Sequence, residues 1–265
     1  MINLKEICKE IENAAHEAGA FILKESEGFD ITLTERKGFN DFVSYVDKGS
    51  EKMLVEKLSR LIPEAGFKTE EGTIKKTGLK YCWVIDPLDG TTNFLHGLHP
   101  YAISIGLMEY DEVIAGVVYE VSGNEVFTAW KDGGAWLNGR SIRVSKAPGL
   151  SDSLVATGFP YNDFISLTRY MDCLTYMCKN THGIRRLGSA AIDLAYVACG
   201  RFEAFYEYGL HPWDVAAGII LVREAGGRVS DFSGLEKNLT GEEIVAANSS
   251  VFSEVQEIVR KFMKN

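Results

Sequence analysis

Positive charge is scarce in this sequence. Its 265 residues carry 28 Lys and Arg against 37 Asp and Glu, a formal net charge of −9. That balance argues against a general nucleic-acid binder, which needs basic surface to displace counterions from phosphates. No apolar run approaches the roughly 20 residues of a membrane span, so neither nucleic acid nor membrane is an expected partner. The first residues, MINLKEICKEIENAAHEAGAF, are acidic throughout and lack an uninterrupted apolar stretch, and so read as neither a secretory signal nor a transit peptide. Cysteine is sparse and odd in number. Cys8, Cys82, Cys173, Cys178 and Cys199 are scattered without a CxxC pair, which disfavours a disulfide framework or zinc ribbon and points to reduced core cysteines in a cytoplasmic protein. Internal repeats, low-complexity tracts and long linkers are also missing.

What remains is a globular composition, 46% hydrophobic and 25% charged, long enough to bury one large core or two intimate ones. Leu4, Ile7, Ile11, Ala14, Ala18, Phe21 and Ile22 recur at three- and four-residue steps, the period of an amphipathic helix. A second helix is predicted from about Lys48 to Leu61, ended by Pro63. Between the two, ITLTERKG and DFVSYVD alternate in strand fashion around a turn at Gly38. From Cys82 onward short β-rich runs joined by polar turns predict a mostly antiparallel meander. Farther on, helices near 163–179, 189–199, 213–225 and 250–263 alternate with strands near 182–186, 203–206, 227–231 and 244–247, a layered α/β pattern. The segment 148–162 holds two of the six prolines and no long periodic run, so it marks a junction. It divides the chain into an N-terminal α+β half, 1–147, and a C-terminal α/β half, 148–265, packed as one compact unit with a ligand cleft expected between them.

The chemistry concentrates where the apolar strand Trp83-Val84-Ile85 runs into Asp86-Pro87-Leu88-Asp89-Gly90-Thr91-Thr92-Asn93-Phe94. Pro87 stiffens a turn, and Gly90-Thr91-Thr92 opens a short helix. Asp86 and Asp89 are hard oxygen ligands suited to Mg2+, to which Leu88 can add only its carbonyl, while backbone N–H groups at a helix start favour phosphate. A second constellation is His211-Pro212-Trp213-Asp214, with the acid in the first turn of an apolar helix. By itself Asp214 reads as a capping residue; beside another acidic cluster it becomes a metal candidate. The third piece is Glu70-Glu71 after a short strand. Neighbouring strand residues point to opposite faces, so at most one of them reaches the same site and the other is a solvated charge. Glu70, Asp86, Asp89 and Asp214 in one pocket would repel each other severely unless divalent cations neutralised them.

These strings resemble the inositol monophosphatase family of Mg2+-dependent, lithium-sensitive phosphatases: DPLDGTTNF at 86–94, GSAAIDLAYVACGRFEAFYE at 188–207 and WDVAAG at 213–218, in the family's order. The resemblance covers essentially the whole chain. It implies a layered α/β fold, an αβαβα sandwich, commonly a homodimer. It implies Glu70, the first of its pair, with Asp86, the Leu88 carbonyl, Asp89 and Asp214 as ligands of two or three Mg2+ ions. Glu70, Thr91 and Asp47 form the implied catalytic set, in which Glu70 and Thr91 orient an attacking water, Asp47 accepts from the Thr91 hydroxyl, and no phosphoenzyme forms. Substrate contacts implied are Asp89, Gly90, Thr91, Gly188, Ser189, Ala190, Glu207 and Asp214. Gly90 and Thr91 would hold phosphate through N–H groups, and Glu207 would accept from polyol hydroxyls. Two departures stand out: Thr69 replaces the glycine usual before the glutamate pair, and the connection from Glu70 to Asp86 is shorter than in animal members, which leaves the metal count open.

Ser189 serves equally well as a plain helix cap, and Asp193 and Arg201 read as structural. Arg185 and Arg186 could meet a second phosphate or a dimer partner, or make surface salt bridges. His96 and His99, without a third ligand nearby, read as loop packing. The expected substrate is a small polyol phosphomonoester, foremost myo-inositol 1-phosphate. Alternatives within the fold are fructose 1,6-bisphosphate, histidinol phosphate and an inositol phospholipid headgroup. Thr92-Asn93 after DGT disfavours the branch acting on 3′-phosphoadenosine 5′-phosphate, which typically has lysine there. A reading of another class is a regulatory binding protein, because some bacterial members act in transcription complexes.

Overall fold

The computed structural model describes residues 2–30, 32, 34–36, 42–160, 164–237 and 240–264. Helix α1 (Leu4–Ser26) starts at an Asn3 cap and buries the stripe Cys8, Ile11, Ala15, Ala18 and Ile22. A short ribbon pairs β1 (Glu35–Arg36) with β2 (Phe42–Val43); Gly38 and the remainder of the turn expected there lie outside the described residues. The expected strand DFVSYVD is cut short after Val43, because Ser44 caps α2 (Tyr45–Leu61) and Asp47 returns the bond in a capping box. The second helix therefore begins three residues before Lys48.

Seven strands form the first sheet: β3 (Gly66–Thr69), β4 (Tyr81–Asp89), β5 (Ala102–Glu109), β6 (Glu112–Glu120), β7 (Glu125–Trp130), β8 (Gly134–Leu137) and β9 (Arg140–Ile142), side by side in that order. β3 and β4 are parallel; from β4 onward the sheet is the antiparallel meander expected. Between β4 and β5 lies a five-residue helix, α3 (Thr91–Leu95).

The second sheet comprises β10 (Leu154–Thr157), β11 (Gly183–Arg185), β12 (Ala204–Tyr208), β13 (Gly227–Ser230) and β14 (Glu243–Asn248), in the order β11-β10-β12-β14-β13. Its helices are α4 (Leu167–Asn180), α5 (Ala190–Ala198), α6 (Pro212–Glu224) and α7 (Phe252–Met263). β10 falls inside the stretch 148–162 that had no periodic signal. It is a short, largely buried strand between two parallel neighbours, and such a strand shows no alternation to detect.

The layers run α1 and α2, the seven-stranded sheet, α5 and α6, the five-stranded sheet, then α4 and α7. This is the αβαβα sandwich. α6 buries every residue from Val215 to Val222, as a helix apolar on all sides must when both its faces meet sheets. Gly106 of β5 pairs with Gly116 of β6 directly beneath it. A Cβ on Gly106 would lie 2.9 Å from Ala216 Cβ, and one on Gly116 would lie 2.7 Å from Ile220 Cγ2 and 2.9 Å from Ala217 Cα. The two glycines thus let α6, which carries Asp214, press close to the sheet. Among the described residues, no helix is long and apolar enough to cross a membrane.

Candidate active site

The acid pair Asp86 and Asp89 sits within β4, rather than on a turn beyond it. Side chains three apart on a regular strand face opposite ways. Here Asp86 pairs with Ser104 and Asp89 with Ala102, so β4 spends three residues against two on β5. That bulge brings both acids to one side, and it accommodates Pro87, which has no N–H for a ladder. Gly90 then turns the chain with φ 90°, a left-handed conformation suited to glycine, and α3 begins.

One cavity of about 150 Å³ collects Glu70, Asp86, Leu88, Asp89, Gly90, Thr91, Gly188, Ser189, Ala190, Glu207 and Asp214. Those are all the candidate site residues except Asp47, which stands behind Thr91. Glu70 reaches the cavity because its N–H bonds the Ile85 carbonyl at 3.2 Å, continuing the β3–β4 pairing. Glu71 does not line it and is half-buried, not a solvated charge.

Asp47 is 1% exposed. Its Oδ2 accepts from the Ser44 N–H at 2.8 Å and the Ser44 hydroxyl at 2.6 Å, and its Oδ1 lies 3.0 Å from Thr91 Oγ1. The Thr91 hydroxyl is also 2.9 Å from the Leu88 carbonyl, so one proton faces two acceptors.

Sequence reasoning missed two neighbours of Asp47. Ser50 donates to the Pro87 carbonyl at 2.9 Å, between the two acids of β4. Glu51, fully buried, accepts from Thr69 Oγ1 at 2.9 Å and from the N–H groups of Glu71 at 2.8 Å and Thr73 at 2.7 Å, and so clamps both sides of Glu70. The signal was available: following the Leu58–Leu54 stripe backward in steps of three and four lands on Glu51, Ser50 and Asp47.

On the opposite side, the start of α5 grips Asp89. Its Oδ2 accepts from Ser189 Oγ at 2.6 Å and from the Ala191 N–H at 2.7 Å, while Ser189 Oγ accepts from the Ile192 N–H at 3.3 Å. Ser189 therefore caps and contacts at once. Asp214 accepts from the His211 N–H at 2.7 Å. Arg186 is exposed yet lines the cavity. Asp193 lines it too, whereas Arg201 is structural, paired with Glu125 and stacked on Tyr196. Neither His96 nor His99 reaches the cavity; His99 packs near the Tyr101 ring.

Burial raises the pKa of Asp86, Asp89, Asp193, Glu207 and Asp214. Asp86 is pushed well up by desolvation and then by Glu70, Asp89 and Asp214. Desolvation lifts Asp89 to about 6 against its hydrogen bonds, and lifts Asp214 to about 7 with help from Asp89. Among the described residues no three Asp, Glu, His or Cys side chains close tightly enough around one point to hold an ion as they stand. Asp86 nevertheless feels the charges of Glu70, Asp89 and Asp214, and a cation among these carboxylates would offset their mutual repulsion. The donors are all hard oxygens, so the set fits Mg2+.

A stability prediction follows with definite sign. Unfolded aspartates titrate near 3.8, and the folded Asp89 and Asp214 near 6 and 7. Between those limits these two groups bind more protons in the folded chain than in the unfolded one, so they make it less stable as pH rises from about 4 to about 7. Thermal unfolding in EDTA is expected to show a higher midpoint at pH 5 than at pH 8, and Mg2+ at pH 8 to restore the difference.

The model of the inositol monophosphatase family matches residues 3–263. A Neisseria meningitidis protein named putative Nus factor SuhB is 44% identical over 247 residues, covering 93% of this chain and 95% of its own. The inositol-1-monophosphatase of Rhizobium meliloti is 42% identical over 226 residues, 85% of each chain. The crystal structure of the extragenic suppressor protein suhB from Bartonella henselae superposes with a TM-score of 0.91 at 37% identity, covering 97% of this chain and 99% of that one.

Proposed function

The chain belongs to the inositol monophosphatase family, a family of phosphatases, and on that footing we propose that it hydrolyses a small polyol phosphomonoester, foremost myo-inositol 1-phosphate, as a Mg2+-dependent cytoplasmic homodimer. The observation that carries this reading is the wall of four carboxylates, Glu70, Asp86, Asp89 and Asp214, drawn from three remote segments into one cavity. The name of the Rhizobium meliloti relative supports the substrate.

In this reading the four acids and the Leu88 carbonyl hold two or three Mg2+ ions. When bound, Mg2+ lowers the pKa of water and offsets the charge of a phosphoryl group. The protein's own groups do the rest. Thr91 donates its proton to Asp47 Oδ1, which leaves the hydroxyl oxygen free to accept from a water that Glu70 also orients. Asp47 is fixed for this by two donors from Ser44. Gly90 and Thr91 N–H groups meet the phosphate. Glu207, with Asp214, accepts from hydroxyls of the carbon frame, beside Gly188, Ser189 and Ala190. Hydrolysis proceeds by direct attack of water, and lithium sensitivity accompanies the site.

A phosphate-release panel of about a dozen phosphomonoesters with Mg2+ tests this. Myo-inositol 1-phosphate is expected to lead, ahead of fructose 1,6-bisphosphate, histidinol phosphate and a phosphoinositide headgroup, and EDTA to abolish release. Relatives named Nus factor SuhB favour a second reading, a regulatory binding protein in a transcription complex. Inactivity on the whole panel with intact Mg2+ binding would select it.

A further inference from the structure

Among the described residues, four buried polar side-chain atoms lack a hydrogen-bond partner: Thr34 Oγ1, Trp83 Nε1, Asp193 Oδ1 and Tyr206 OH. Of these four residues only Asp193 belongs to the cavity wall. It is 1% exposed and stands one turn along α5 from Ala190, on the helix face that Ala190 presents to the cavity. A buried carboxyl oxygen left unpaired is destabilising, and native structures rarely keep one without a use.

Its surroundings indicate that use. The charges it feels are Glu207, then Asp89, both repelling, and Arg186, attracting; all three line the same cavity. Glu207 lies in the space left by a missing side chain, since a Cβ on Gly158 would come within 1.9 Å of its Oε1. Two buried carboxyls and one guanidinium thus bound the wall on the Glu207 side. Both carboxyls line one cavity, and Asp193 feels the charge of Glu207, so the pair can offer acceptors to two hydroxyls of one substrate. A carboxyl can accept when ionised and donate when protonated, so the argument stands on position alone.

We propose that Asp193 is a specificity-determining residue, whose unpaired oxygen bonds a substrate hydroxyl other than the one met by Glu207, so that the cavity selects phosphomonoesters that carry two such hydroxyls. This deepens the phosphatase reading and rests on it. Arg186 supplies the compensating positive charge for the two acids.

The test compares kcat/KM for myo-inositol 1-phosphate with that for p-nitrophenyl phosphate, which has no hydroxyl to read, in the full-length chain with Mg2+. In Asp193→Leu the ratio is expected to fall about ten- to a hundredfold, chiefly through KM, with partial recovery in Asp193→Asn. The Mg2+-free unfolding temperature of Asp193→Leu is expected to hold or rise, because an unpaired buried acid has been removed. A ratio within about twofold of the unaltered chain overturns the assignment. So does a lower unfolding temperature with both substrates losing equally, the signature of a structural role. If the unaltered chain hydrolyses neither ester, the phosphatase reading itself falls and takes this assignment with it, an outcome distinct from an unmoved ratio.

Discussion

Asp86→Asn is expected to cut phosphate release at least about a hundredfold at saturating Mg2+, because even partners of metal ligands cost ten- to a hundredfold when lost. The substitution keeps shape and volume, and the Leu88 N–H can still bond the remaining carbonyl oxygen at the position it now holds, 3.0 Å from Asp86 Oδ1. What disappears is a negative charge that burial and three neighbouring acids already oppose. The Mg2+-free protein should therefore melt no lower, and at pH 8 higher, than the unaltered chain. Collapse of activity with retained or improved folding separates a ligand from a structural acid. Near-normal turnover with Mg2+ in excess would remove the basis for placing metal in this cavity.

The largest stability effect is expected from Gly116→Val, about 3 kcal/mol, measured by denaturant unfolding. The Cβ would strike Ile220 Cγ2, a side-chain atom with some freedom, but also Ala217 Cα and the Ala217 carbonyl at 2.9 Å, which are backbone. Relief requires α6 to lift from β6, and α6 is buried against both sheets. Since Asp214 rides on the first turn of that helix, activity should fall further than the loss of folded protein alone explains. An unchanged denaturation midpoint would mean that the helix floats more freely above the sheet than the atom positions indicate.

Much of this architecture was legible in the chain itself. Helix periods located α1 and α5–α7, and strand runs separated by polar turns located the meander, because each element buries one face or is buried wholly. The acids of 86–89 were legible because a strand ending in two carboxylates and a glycine is improbable as an ordinary turn. Other features depend on partners far along the chain. The bulge between Asp86 and Asp89 exists only relative to β5, so DPLD alone reads as a turn. β10 has no alternation to display, being largely buried between parallel neighbours. Glu51 and Ser50 look like surface polar residues until the stripe they share with Leu54 and Leu58 is followed backward. Arg186 and Asp193 take their meaning from Glu207, some 14 to 21 residues later in the sequence, and no local pattern announces that meeting.

Asp47, Ser50 and Glu51 occupy little more than one turn of α2, about 6 Å along its axis, yet they tether Thr91, the Pro87 carbonyl and the 69–73 loop. This one stretch of helix is thus the common anchor of three active-site segments, and a substitution that displaced it would disturb the Glu70 and Thr91 sides of the cavity together.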